Sequence, residues 1–98
     1  MKTFGSIIKS KREAKGLYLR EVAASLGIDQ AIISKYERGE RKPSKKQVLM
    51  FASYYELDPE ELIIEWLSDK VVYDLQNEDL GYRVLKVAEE KIKYNKAK

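Results

Sequence analysis

The sequence predicts an all-α fold. Apolar residues recur at three- and four-residue spacing almost from end to end, and no segment alternates apolar and polar residues as a half-buried strand would. At 98 residues the chain can build one core shared by all its elements, with at most an appendage beside it. Cys and His are both absent, which removes disulfides, the usual zinc ligands, the commonest general base and the thiol nucleophile. The expectation is therefore a non-enzymatic protein with no cofactor and no metal. The opening MKTFGSIIKSKRE lacks the apolar segment of a signal peptide, and nowhere do the roughly 18 apolar residues needed to span a bilayer run together. The reading is a soluble cytoplasmic chain with no membrane partner.

The first helix is expected over about Thr3 to Lys15, with Phe4, Ile7, Ile8 and Ala14 on one side and Gly16 as its stop. The second lies in LREVAASLG, where Leu19, Val22, Ala23 and Leu26 stand at helical spacing before Gly27. Asp29 can cap a third helix through about Arg38, its apolar stripe being Ile32, Ile33 and Tyr36, and Gly39 suits a left-handed exit. Ser44 with Gln47 three residues on forms a capping box for a fourth helix whose inward set is Val48, Leu49, Phe51, Ala52 and Tyr55. Asp58, Pro59 and Glu61 repeat the start signal for a long fifth helix, to about Leu75, carrying Leu62, Ile63, Trp66, Leu67, Val71, Val72 and Leu75. Asn77 can cap a sixth with Leu80, Val84, Leu85, Ala88 and Ile92 inward, and the polar tail KYNKAK is expected to fray.

Charge is unevenly spread along this scaffold. From Met1 to Lys45 there are 11 Lys+Arg against 5 Asp+Glu, a net of +6, whereas Lys46 to Lys98 carries 8 against 11, a net of −3. The basic half is a candidate polyanion-binding surface. Its densest stretch is ISKYERGERKPS, in which Lys35, Arg38, Arg41 and Lys42 crowd around Gly39 against two acids, Glu37 and Glu40. Just before it, two short helices joined by a turn containing glycine make the layout of a helix-turn-helix. Ala23 is small enough to let the third helix cross close against the second. The third helix then turns Ile33 and Tyr36 to the core and leaves Gln30, Ala31, Ser34 and Lys35 on the opposite side.

With LREVA…LGI in the second helix, ISKYERG at the end of the third and RKPS leading into the fourth, Phe4 to about Leu62 resembles a repressor-type helix-turn-helix domain of the Cro/phage-repressor (Xre) family. The resemblance implies a λ-repressor-like domain of about five helices over residues 1–68, followed by a C-terminal helical extension over 69–98. It implies that Gln30, Ala31, Ser34 and Lys35 face base edges, and that Arg20, Arg38, Arg41, Lys42 and Ser44 meet phosphates. It further implies a structural ion pair between Arg12 and Glu37. The chemistry of these side chains agrees: Gln can bond adenine bidentately, Lys can meet guanine, and the Ala methyl can pack on that of thymine, each good bidentate pair discriminating by about 1–3 kcal/mol. The chain departs from the family at Tyr18, where a short Ser or Thr cap is usual, and at Leu19, where glutamine is common.

Each assignment has a plainer counterpart. Lys35 could be a solvent lysine, the Ser34 hydroxyl could bond back to its own helix, and Arg12 with Glu37 could be an exposed pair of little value. Tyr54, Tyr55, Tyr73, Tyr82, Tyr94 and Trp66 read better as core or interface than as platforms for stacked bases. In DPEEL, Asp58 and Glu61 are already accounted for as helix-start residues.

Helices five and six carry more apolar residues than a five-helix domain requires, notably Val71, Val72, Leu75, Val84, Leu85, Ala88 and Ile92. Either helix six folds back on helix five, or these residues form a dimer or partner interface, or both. The leading function is a sequence-specific transcriptional regulator that binds double-stranded DNA as a homodimer on a palindromic operator; restriction-modification controllers, phage repressors and antitoxins are small members of this type. The alternative is an antitoxin-like or adaptor module whose C-terminal helices chiefly bind a partner protein.

Overall fold

The computed structural model describes residues 2–97, which form six helices: α1 (Phe4–Ala14), α2 (Leu19–Leu26), α3 (Gln30–Glu37), α4 (Lys45–Tyr54), α5 (Pro59–Leu75) and α6 (Gly81–Ala97). Short polar side chains start four of them. Thr3 and Ser44 accept from the amides of Ser6 and Gln47, while Asp29 and Asp58 each accept from two amides of the turn that follows. Glycines in left-handed conformation follow three of them, Gly16 (φ +66°), Gly27 (φ +67°) and Gly39 (φ +74°). In α2 the Tyr18 side chain makes no cap hydrogen bond; instead the Glu21 carboxylate reaches back to accept from the Tyr18 amide at 2.9 Å.

The first five helices close around Phe51, which is fully buried together with Ile8, Val22, Ile33 and Val48. Its ring meets Phe4 and Tyr36 edge-on, at centroid distances of 5.8 and 6.3 Å, and stacks on Tyr55 at 6.3 Å. Of the apolar residues expected to be covered in α1 to α5, Ala14, Leu49, Leu67, Val71 and Val72 are exposed. For Leu49 and Leu67 the reason is rotational. α4 buries Val48, Phe51, Ala52 and Tyr55, so Leu49 lies one helical step off that face, and Leu67 lies one step past the half-buried Trp66. α4 ends where the sequence offers no glycine: Glu56 adopts the left-handed conformation (φ +56°), and the Leu57 amide closes back on the Ala52 carbonyl at 2.8 Å.

The C-terminal region departs furthest from expectation. α6 starts at Gly81 rather than after an Asn77 cap, because the Glu78 amide bonds the Leu75 carbonyl at 2.9 Å and carries the turn from α5 past Asn77. It continues to Ala97, so the segment expected to fray is helical that far, and Lys98 lies outside the described residues. No residue of α6 is buried, and Leu80, Val84, Leu85 and Ile92, expected inward, are 55, 44, 42 and 58% exposed. α6 therefore does not fold back into the core. The shape follows: the radius of gyration is 15.7 Å, against about 13 Å for a compact chain of this length. α5 is continuous from Pro59 to Leu75, as expected, and so spans the boundary drawn between residues 68 and 69.

α1 crosses α3 closely enough that a Cβ on Gly5 would stand 2.5 Å from the Tyr36 carbonyl oxygen and 2.7 Å from that of Glu37. Gly to Ala inside a helix is ordinarily stabilising by roughly 0.5–1 kcal/mol. Here the opposite sign is expected: Gly5→Ala must push backbone from backbone, at a cost of about 1–3 kcal/mol, seen as a lower urea midpoint.

The Tyr55 hydroxyl is buried without a hydrogen-bond partner among the described residues. Burial, reinforced by Glu37, pushes its pKa from 10.0 up to about 12. The neutral form is thus favoured in the folded state, and the native chain loses stability as pH rises from about 10 to about 12. Tyr55→Phe, which removes the orphaned hydroxyl, is expected to unfold at a higher temperature near neutral pH and to lose less stability over that alkaline window. Parallel thermal melts of the two proteins across pH check both points.

Candidate nucleic-acid interface

α3 is anchored by its inner face. Ile33 and Tyr36 are buried, and Glu37, its last residue, meets Arg12 of α1 in a two-pronged ion pair: Nε to Oε2 at 2.8 Å and Nη2 to Oε1 at 3.0 Å. The third prong of the guanidinium donates to the Leu17 carbonyl at 3.0 Å. Bonding to Glu37 raises the Arg12 pKa, so the cation is permanent. With that side fixed, Gln30, Ala31 and Lys35 are exposed on the outer face and Ser34 is half-buried between them.

The loop after α3 leaves the helix by the turn that glycine permits. The Gly39 amide bonds the Tyr36 carbonyl at 3.1 Å and the Glu40 amide bonds that of Lys35 at 2.9 Å. At its far end the Gln47 carboxamide oxygen accepts from the Tyr36 hydroxyl at 2.7 Å and the Ser44 amide at 3.3 Å, tying the end of α3 to the start of α4. Arg38, Arg41, Lys42 and Ser44 are exposed along this path. Arg38 is partnered within the chain, its guanidinium bridging the Glu40 carboxylate and the Ser34 hydroxyl. That contact raises the Arg38 pKa and lowers that of Glu40. Lys42 extends its ammonium over the Tyr73 ring, 5.0 Å from the centroid. Arg20 lies on the other flank, its guanidinium 4.4 Å above the ring of the exposed Tyr18.

Two features were not assigned to this surface from the sequence. The first turn of α4 carries Lys45 and Lys46 and no acid, which opposes the helix dipole, whereas that of α5 carries Glu60 and Glu61. Cations beside unpaired helix-start amides are unfavourable until an anion sits there, and that mismatch was readable once the Ser44 cap was recognised. The second feature is Tyr73, which is 31 residues from Lys42 in sequence and has no local signal. The expected interface residues Val71, Val72, Val84, Leu85 and Ile92 are exposed, and Leu75 and Ala88 half-buried, well away from the α3 face in sequence and on separate helices. No helix among the described residues is long and apolar enough to cross a membrane.

Comparison with known proteins bears on the fold and the family. Residues 8–62 match the family model described as helix-turn-helix, HTH_3. No curated protein matches the chain. Among solved structures, the restriction-modification controller protein C.AhdI from Aeromonas hydrophila is similar, with 34% identity and a TM-score of 0.55 over 60% of this chain and 89% of that one. A chain of a SinR protein/SinI protein complex aligns over 98% of this chain and 100% of its own, with a TM-score of 0.57 at 21% identity, a likeness of fold alone. The match spans more than half the sequence and contains both helices of the motif, so the chain belongs to the Xre-type helix-turn-helix family of DNA-binding transcriptional regulators.

Proposed function

We propose that the protein is a sequence-specific regulator that reads a palindromic operator in double-stranded DNA as a homodimer. The observation that carries this reading is the division of α3 into a buried face locked by Arg12–Glu37 and an outer face of Gln30, Ala31, Ser34 and Lys35, flanked by the basic loop. On this reading the outer face enters the major groove, while Arg38, Arg41, Lys42 and the amide-bearing start of α4 at Ser44 follow the sugar-phosphate backbone, with Arg20 on the opposite flank. Lys45 and Lys46 strengthen the anion-binding start of α4. Arg38 must exchange Glu40 for a phosphate, a modest demand because the pair is exposed to solvent. The apolar surface of Val71, Val72, Leu75, Val84, Leu85, Ala88 and Ile92 supports a second copy as the dimer partner, and two-fold pairing would space the half-sites about 34–36 Å apart. The C.AhdI likeness supports regulation of this kind, and a chain acting on DNA in this way would work in the cytoplasm. No catalytic step is assigned to it.

A second reading is favoured by one observation, the complete lack of buried residues in α6. That surface could instead receive a different protein, which would make the chain an antitoxin-like or adaptor module.

Selection of bound duplexes from a random pool at fixed salt, with the native chain, Gln30→Ala and Lys35→Ala, tests the first reading. Enrichment of a palindrome whose preferred bases change in the variants is expected, together with a dimer in sedimentation equilibrium. Equally weak, salt-sensitive binding by all three proteins, with a monomer in solution, would move the partner-protein reading to first place.

A further inference from the structure

The family match ends at residue 62, yet the loop that approaches the phosphates on the reading above is held from beyond it. Three residues on one stripe of α5 reach into the N-terminal half. The Trp66 indole N–H donates to the Pro43 carbonyl at 3.1 Å, Asp69 Oδ2 accepts from the Phe4 amide at 2.9 Å, and the Tyr73 ring lies beneath the Lys42 ammonium at 5.0 Å. Their spacing of three and four residues places them on a single face. Ile64, Leu67, Val71 and Leu75 lie on the opposite side of the same helix. Between the stripe and the loop runs a groove of about 640 Å³, with Arg41, Lys42 and Pro43 on one wall and Trp66, Asp69 and Tyr73 on the other.

Resting on the DNA-binding reading, we propose that Tyr73 is a positioning residue for phosphate contact: its ring holds the Lys42 ammonium at the protein surface where the backbone of DNA passes. The DNA-binding unit then extends through α5 to at least Tyr73, past the division between residues 68 and 69. The chemistry is that of preorganisation. A lysine side chain has four rotatable bonds and loses more conformational freedom than most when it is fixed on a phosphate. An aromatic face attracts the ammonium from one side and leaves N–H donors free on the other, so ring and phosphate can be engaged together. Trp66 completes the arrangement by fixing the Pro43 carbonyl immediately before the Ser44 cap, which sets where the first amides of α4 point.

The test is a set of equilibrium titrations with the duplex recovered by selection. Native chain, Tyr73→Phe and Tyr73→Leu are compared, each with Lys42 and with Lys42→Met, at several salt concentrations. Tyr73 is 69% exposed, so folding is expected to be unaffected, and melting temperatures check that. Tyr73→Phe keeps the aromatic face and should bind like the native chain. Tyr73→Leu should bind about two- to fivefold more weakly with its salt slope unchanged, since Lys42 still reaches the phosphate without being held for it. Lys42→Met should lower the slope by about one, and Tyr73→Leu should then add nothing further. Native affinity in Tyr73→Leu, or an equal loss in both Lys42 backgrounds, would overturn the role of Tyr73 while leaving DNA binding intact. Failure of the native chain to prefer any duplex would overturn the functional reading itself, and this inference with it.

Discussion

The Arg12–Glu37 pair is the constraint on which the rest of the arrangement depends. Glu37 closes α3 with a negative charge at the end of the helix where the dipole is also negative, and its side chain is only 4% exposed. A carboxylate in that position is tolerable only when a cation and good hydrogen bonds compensate it. Arg12 supplies both, with two prongs on the carboxylate and a third on the Leu17 carbonyl, so one planar group joins the end of α1, the turn that follows it and the end of α3. Lysine could not replace it, because a compact ammonium lacks the rigid fork. Burying two charges is not in itself a source of stability, and a hydrophobic pair of the same volume would often do as well or better. What the ion pair contributes is a fixed rotation of α3 about its own axis. The same crossing brings the Gly5 backbone against the Tyr36 and Glu37 carbonyls, a closeness that no other side chain at that position would allow.

That fixed rotation determines what the outer face of α3 can present, and the loop beyond it shows a related economy of charge. Arg38, the first cation after the helix, is occupied by Glu40 and Ser34 in the free chain, whereas Lys42 is held by an aromatic face. The two restraints differ in kind. A carboxylate competes with phosphate for the same N–H donors and must be displaced, while an aromatic ring attracts the cation without using those donors. On the DNA-binding reading proposed above, the loop would combine a cation exchanged on binding with one presented ready for it. Ser34, half-buried beneath the Arg38 guanidinium, is drawn into the first of these, and its hydroxyl is shared between the outer face of α3 and the loop.

Local signals made the core of this architecture legible. Short capping side chains at Asp29, Ser44 and Asp58 and the glycines at 16, 27 and 39 are read from a few residues at a time, and the helix boundaries they imply lie close to those observed. The reading was weakest where geometry depends on residues distant in sequence. Glu56 ends α4 in a conformation usually left to glycine, held there by the closure of Leu57 on Ala52, and nothing in its own identity announces that. Gly5 carries no local signal of its own, and its importance arises only from α3 lying against it. Leu49 and Leu67 were assigned inward because a three-and-four spacing admits an adjacent residue as easily as the correct one. Periodicity likewise marked an apolar stripe on α6 but carries no information about whether its partner lies in the same chain. Among the candidate site residues, those on α3 and its loop follow from a compact local motif, whereas Tyr73 enters only through the fold.

The charge division along the chain completes the physical picture. The half that carries α1 to α3 and the loop has a net charge of +6, and the half that carries α5 and α6 a net of −3. Within the second half the acids are concentrated in α5, five against one lysine, whereas α6 carries five Lys+Arg against two Glu. Near a polyanion the basic loop is attracted and α5 repelled, which, on the reading proposed above, favours presentation of the α3 face. Because α5 bears the loop-holding stripe on one side and Leu67, Val71 and Leu75 on the other, whatever covers that second side also steadies the helix from which the basic loop is held. Assembly and DNA contact would then share one mechanical element, and neither could be altered without affecting the other.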